Sequence, residues 1–199
     1  MFSRINASAA PLIVDPVSGS GLAWVYSRTS GVRFNAPWKT GFVEGRDFGD
    51  IEGQPVGKVF PDRKSLAASG IHRPTEAGIC GGQTEGAESI VVSGQYVDDE
   101  DYGSRIVYTG AGGRDANTKR QVADQTLTRT NRALALSRDS GIPVRVVRGA
   151  SGDSEHSPTS GYRYDGLYTV TDYGPAIGKD GFVVWRYELC QFTEPDGSI

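Results

Sequence analysis

The sequence predicts an α+β domain built on a curved, barrel-like mixed β-sheet with a few flanking helices. Three observations carry this expectation. Five short runs rich in β-branched and aromatic residues are spaced by glycine-rich turns: 89–93 (SIVVS), 105–109 (RIVYT), 144–148 (VRVVR), 167–171 (LYTVT) and 182–189 (FVVWRYEL). Only one long helical pattern stands between them. The length of 199 residues suffices for one well-buried domain and would crowd two.

Taken in order, residues 1–51 are rich in Gly, Ser and Pro with scattered aromatics, and read as an N-terminal extension with short strands. The main domain, 52–192, opens near Gly53, where GQPVGKVF supplies turn residues and then an apolar stretch. PDRKSLAASG reads as a short helix ending at Gly70. The long helix is expected from about 120 to 137, because Ala123, Leu127, Thr130 and Leu134 recur on one face. Gly141 and Pro143 then stop it. Residues 193–199 follow the last strand and read as a tail or the start of a linker.

Composition excludes several classes. No apolar run approaches the roughly 20 residues of a membrane span. The N-terminal apolar patch is cut by Pro11 and Pro16, unlike a secretory signal, so the chain reads as intracellular: cytoplasmic and nucleoid-associated in a bacterium, nuclear in a eukaryote. Cys80 and Cys190 are too few for a disulfide framework or a cysteine-rich zinc site. The formal charge of −3 does not announce a nucleic-acid binder, but its distribution is uneven. Residues 101–150 hold 9 Lys/Arg against 4 Asp/Glu, whereas 1–100 hold 9 against 12 and 151–199 hold 3 against 8. A local positive field is what phosphate contacts require; a solvated basic face is the plainer reading.

Seven segments occur in a fixed order: GIHRPTEAGICGG (70–82), SIVVSGQYVDDEDYG (89–103), YTGAGGRD (108–115), DQTLTRTNRALAL (124–136), PVRVVRG (143–149), GYRYDGLYTV (161–170) and GFVVWRYEL (181–189). Together they resemble the SRA domain, also named YDG after the tripeptide seen here as Tyr164-Asp165-Gly166. The resemblance covers about residues 52–190 and is nearest in look to bacterial members associated with His-Asn-His restriction endonucleases. It implies a reader of 5-methylcytosine in double-stranded DNA that flips the modified base into a pocket.

Such a pocket must replace the stacking that a flipped base loses. Tyr96 and Tyr108 match the family's two stacking aromatics; without the resemblance they read as ordinary core aromatics. Asp99 matches the carboxylate that accepts from the cytosine amino group, although Asp98, Asp99, Glu100 and Asp101 would otherwise read as a solvated acidic turn. Thr109 matches a residue beside the methyl group, and Ser93, Gly94 and Gln95 match the segment that reads the rest of the pairing edge. Gln95 stands where many relatives have Gly. Ile71 matches the tip of a wedge loop that enters the duplex, with His72 and Arg73 beside it as DNA contacts. Arg114, Asn117, Lys119 and Arg120 match a second loop that reads the opposite strand, but this loop is shorter and Thr118 interrupts its pattern. That departure weakens any expectation of hemimethyl discrimination. Arg120 either contacts DNA or begins the helix.

No catalytic constellation is expected. His72 and His156 are the only histidines, too few for a His-Asn-His nuclease, and no G-x-S-x-G, HExxH or Cys-His arrangement occurs. GAGGRD fits neither a phosphate loop nor G-x-G-x-x-G, so no nucleotide cofactor is expected, nor any metal. Tyr164 and Asp165 read as structural, with Asp165 bonding backbone beside a turn at Gly166. The two function classes left are a stand-alone reader module and the specificity domain of a modification-dependent restriction endonuclease whose nuclease domain or subunit is not on this chain. An RNA-binding barrel lacks the pocket motifs.

Overall fold

The computed structural model describes residues 24–26, 33–35, 42–43, 46–152 and 154–192. Its elements are β1 (Trp24–Tyr26), β2 (Arg33–Asn35), β3 (Phe42–Val43), β4 (Arg46–Asp47), β5 (Val59–Phe60), α1 (Arg63–Ala68), β6 (Ile79–Gly82), β7 (Gly86–Val92), β8 (Glu100–Asp101), β9 (Arg105–Thr109), α2 (Arg129–Ser140), β10 (Val144–Gly149), β11 (Tyr162–Ile177) and β12 (Val183–Gln191). Eight strands form one mixed sheet in the order β6-β7-β10-β11-β12-β9-β8, with β5 pairing the start of β11. The sheet is open. Register shifts at Cys80/Gly81, Arg145/Val147 and Val170/Asp172 add bends and twist. The mixed α+β architecture is the one expected from the sequence.

β7 and β10 pair in parallel at the centre, and every residue of both is buried. That explains why SIVVS and VRVVR lack an exposed polar alternation: both faces of the parallel pair are covered. On one face α2 packs through Ala133, Leu134 and Ala135 onto Ile90, Val92, Val144, Val146, Tyr168, Tyr187 and Leu189. On the other, Val91 and Val147 meet Phe60, Leu66, Ile71 and Tyr164.

Three expectations change. The long helix begins at Arg129, not near 120, and ends at Gly141 in the left-handed conformation with φ 67°. Residues 121–125 are held in a loop because their side chains serve the strands: the Val183 N–H donates to Asp124 Oδ1 at 2.7 Å and the Trp185 N–H to Gln125 Oε1 at 2.9 Å. Leu127 still packs against the core, so the helical spacing reports burial without helix. The strand expected at 167–171 runs from Tyr162 to Ile177, since the shift at Val170/Asp172 lets it pair β10 first and β12 afterwards. The YDG tripeptide therefore lies inside β11, and Asp165 accepts from arginines rather than from backbone.

Residues 46–51, read as part of the extension, are bound into the body. Arg145, fully buried, donates to the carbonyls of Ile71 (2.9 Å), Asp47 (2.8 Å) and Gly49 (2.6 Å). The Tyr164 hydroxyl donates to Asp50 Oδ1 at 2.6 Å.

Arg148 makes the most connected polar contact. It donates to Asp101 Oδ1 and Oδ2 at 2.8 Å each, to Asp165 Oδ2 at 2.7 Å and to the Gly103 carbonyl at 2.6 Å. Its side chain is 4% exposed, and that of Asp101 5%. Removing the cation would strand two enclosed carboxylates. Arg148→Ala is expected to lower the unfolding free energy by about 3–5 kcal/mol; urea denaturation at pH 7 measures it, and a loss below about 1 kcal/mol would contradict this account.

Candidate nucleic-acid interface

The chain leaving β7 turns sharply at Gly94, whose φ of 64° suits a residue without a side chain. A second turn, closed by the Asp99 N–H donating to the Tyr96 carbonyl at 3.2 Å, sets Tyr96 and Asp99 along the wall of one cavity. Tyr108, from β9, forms its floor, with its hydroxyl donating to the Gly78 carbonyl at 3.1 Å. A side chain at Gly78 would place a Cβ 2.7 Å from that hydroxyl, so only glycine permits the approach. The cavity measures about 190 Å³; Ser93, Gln95, Tyr96, Asp99 and Tyr108 line it together with Arg63, Glu76, Ala77, Gly78, Ile79, Val91, Ala111 and Thr130. Five of the seven residues expected in a base pocket are thus brought together. Gly94 lies on the far side of the wall, at a second cavity of about 300 Å³ that Tyr96 and Asp99 also line but Tyr108 does not reach.

Thr109 is placed differently from the expectation. It is fully buried and absent from the lining. Its contribution is the backbone N–H, which donates to Asp99 Oδ1 at 2.8 Å.

The acidic run is resolved residue by residue. Asp98 accepts the Lys179 N–H at 2.9 Å. Glu100 pairs with Arg186, which holds its carboxyl below the usual range. Burial alone would raise Asp101, but Arg148 overrides it and the net shift is downward. Asp99 goes the other way: burial pushes its carboxyl up to about 6, against the opposing pull of the Thr109 N–H. Neighbouring carboxyls displaced in opposite directions mark a division of labour between structural charges and a group kept for chemistry.

The expected DNA-contact residues divide. Ile71 and His72 are fully buried, a correction to their expected place on a wedge tip. Ile71 packs in the core because its apolar side chain gains more from Phe60, Leu66 and Tyr164 than from water. His72 is pushed down to about 3 by burial, so its neutral ring bridges Ser89 Oγ at 2.8 Å and the Ala77 carbonyl at 2.9 Å. Arg73 is committed to Glu88, at 2.6 and 2.8 Å. Arg114 lies over the Tyr96 ring, 4.9 Å from its centroid, and donates to Gln95 Oε1 at 3.2 Å and to the Lys119 carbonyl at 2.6 Å. It buttresses the pocket from outside and ties it to the loop 113–121. That loop presents Asn117 and Lys119 to solvent. Arg120 neither begins the helix nor stands alone, since it pairs with Asp180 at 2.7 Å.

Sequence reasoning missed Arg63, Glu76, Ala77, Ala111 and Thr130 in the lining. The motif GIHRPTEAGICGG contained Glu76 and Ala77, but nothing in it distinguished the exposed part from the buried part. Among the described residues no group of three or more His, Cys, Asp or Glu could hold a metal ion, and no helix is long and apolar enough to cross a membrane.

Comparison with known proteins agrees with this arrangement. The E3 ubiquitin-protein ligase UHRF1 of Rattus norvegicus is 45% identical over 175 residues, covering 77% of this chain and 23% of the relative. A UHRF1-like protein of Cryptococcus neoformans is 41% identical over 175 residues, 82% of this chain and 49% of the relative. The chain therefore spans between about a quarter and a half of these relatives' lengths. Among solved structures, the modification-dependent TagI restriction endonuclease superposes with TM-score 0.71 at 44% identity, over 73% of this chain and 52% of that one. The SUVH5 SRA domain in complex with hemimethylated CG DNA superposes with TM-score 0.63 at 35% identity, over 75% and 97%. Residues 47–194 match the SAD/SRA domain as a family, and the chain belongs to it.

Proposed function

We propose that this chain is a DNA-binding module that reads 5-methylcytosine, or a closely related modified cytosine, by flipping the base out of the duplex. One observation carries the reading: a single cavity brings two tyrosine rings and one burial-strained carboxyl within reach of the same planar ligand. Stacking on an aromatic ring returns about 1–3 kcal/mol per base, which offsets the few kcal/mol that unstacking costs. The Asp99 carboxylate, with one oxygen held by the Thr109 N–H, keeps the other for the N4 amino donor of cytosine. Ser93 and Gln95 stand where the remaining edge of the base would lie. Asn117 and Lys119 reach the DNA backbone or the opposite strand, and Arg114 positions Tyr96. No step of bond breaking is assigned to the chain.

The likeness to TagI favours a second arrangement, in which the same module supplies specificity to a nuclease domain or subunit. A cleavage assay with Mg²⁺ on methylated plasmid separates the two: this chain alone is expected to bind and not to cut, and metal-dependent cutting would overturn the assignment of catalysis elsewhere.

The direct test is a titration at fixed salt of duplexes carrying unmodified, hemimethylated, fully methylated or hydroxymethylated cytosine in one sequence. A modified duplex is expected to bind more tightly, and Tyr96→Ala to erase the difference by removing a contact worth about five- to hundredfold in affinity. Equal binding of all four duplexes, unchanged by the substitution, would sink the reading.

Asp99 supplies a test on the free protein. Its folded-state pKa lies above the unfolded value, so the native state binds the extra proton and stability is lost as pH rises from about 4 to about 6. Asp99→Asn keeps an acceptor and removes the charge. The variant is expected to be more stable than wild type by on the order of 1–2 kcal/mol above pH 7, with the gap closing towards pH 4. Urea midpoints across that range measure it; a gap independent of pH, or of opposite sign, would contradict it. The same variant is expected to bind a modified duplex less tightly, because a charged acceptor makes the stronger hydrogen bond.

A further inference from the structure

A base drawn into the cavity leaves its old place in the duplex just outside the mouth, and the partner base there loses its hydrogen bonds. The structure presents one loop at that mouth whose shape is fixed in advance. Residues 74–77 are exposed or half-exposed, yet three of their four carbonyls are tied down. Arg63 donates to the carbonyls of Pro74 at 2.9 Å, Thr75 at 3.1 Å and Ala77. The buried His72 donates to the Ala77 carbonyl from the opposite side, at 2.9 Å. Arg63 is itself steadied over the Tyr162 ring, 5.6 Å from its centroid. A loop that spends a guanidinium and a buried imidazole on its own carbonyls is built to hold a shape under load.

Glu76 stands on this loop, exposed, and lines the cavity mouth. Its neighbours in the lining with polar side chains are already engaged, Arg63 with the loop and Gln95 with Arg114. The Glu76 carboxylate makes no hydrogen bond or ion pair among the described residues. A lone carboxylate facing a polyanion costs affinity unless a donor group meets it. The base opposite a flipped cytosine is guanine, and its pairing edge then offers two adjacent donors, N1–H and the N2 amino group. A carboxylate accepts from such a pair through both oxygens.

We infer that Glu76 is a specificity-determining residue of the proposed base-flipping site, accepting hydrogen bonds from the N1–H and N2 amino group of the guanine left unpaired. Arg63 and His72 are positioning residues for it. The inference rests on the flipping reading above and adds to it a readout of the partner base.

The test uses anisotropy titrations of wild type, Glu76→Ala and Glu76→Gln on four duplexes. Methylated or unmodified cytosine stands opposite either guanine or inosine, which lacks the N2 amino group. Inosine also weakens the pair to be opened, so the informative quantity is the guanine-to-inosine affinity ratio in wild type divided by that in Glu76→Ala. On the methylated duplexes this double ratio is expected to be about tenfold in favour of guanine, the discrimination of one good bidentate contact. Glu76→Gln, which keeps one acceptor and loses the charge, is expected to fall between. A double ratio near one, with methylated duplexes still preferred over unmodified ones, would overturn the Glu76 assignment while leaving the pocket standing. Loss of the methyl preference in wild type on the guanine duplexes would overturn both.

Discussion

The guanidinium of Arg148 reaches from the middle of β10 to the carboxylates of Asp101 and Asp165 and to the carbonyl of Gly103. β10 lies between β7 and β11, so this one side chain ties the centre of the sheet to the segment 96–103 that walls the pocket. Enclosing three ionised groups is costly unless each finds partners, and here the geometry satisfies them together. β8 is only two residues long and holds to the sheet by a single short pairing with β9. The Arg148 contacts therefore do what backbone pairing at β8 cannot. They fix where the acidic segment runs, and with it the direction in which Tyr96 and Asp99 face.

With that segment fixed, its remaining charges can be distributed. Asp98 and Glu100 are drawn outward to the β11–β12 turn and to Arg186, and Asp101 inward to Arg148. Asp99 is the residue left to the cavity, and burial charges it an energetic penalty when ionised. A protein does not keep such a group for stability, because a neutral side chain of the same shape would serve better. Local rules violated inside a well-satisfied surrounding are the mark of a binding site.

The sheet was legible in the sequence where burial leaves a simple trace: the parallel strands β7 and β10 read as continuous β-branched runs because both their faces are covered. The helix start was not, since Ala123 and Leu127 carry helical spacing although Asp124 and Gln125 are bound to the ends of β12. Long-range side-chain capping of this kind has no local signature. β6 hid for a related reason. Gly81 and Gly82 look like a turn, but a side chain at Gly81 would meet the backbone of Gly86 and Ala87 at 2.6 and 2.7 Å, so a glycine is what lets the two strands approach. The pocket tyrosines and Asp99 came from a motif whose order was specific. The wedge loop was misplaced within its motif, because GIHRP and TEAG are equally short and the sequence gives no sign that Ile71 turns inward while Glu76 turns out.

The charge pattern carries the final step. The basic excess of residues 101–150 looked like a phosphate-binding face, with nine Lys and Arg against four acids. Five of those nine are spent inside the fold or on its surface acids: Arg105 on Glu188, Arg120 on Asp180, Arg138 on Asp139, Arg145 on Glu88 and Arg148 on Asp101 and Asp165. Arg114 stacks on Tyr96. Few cations remain to attract DNA of any sequence, and non-specific affinity scales with their number. A domain so poor in free positive charge gains little from the backbone of unmodified DNA. Its binding energy must then come mainly from what enters the cavity, and selectivity follows from that scarcity as much as from the pocket itself.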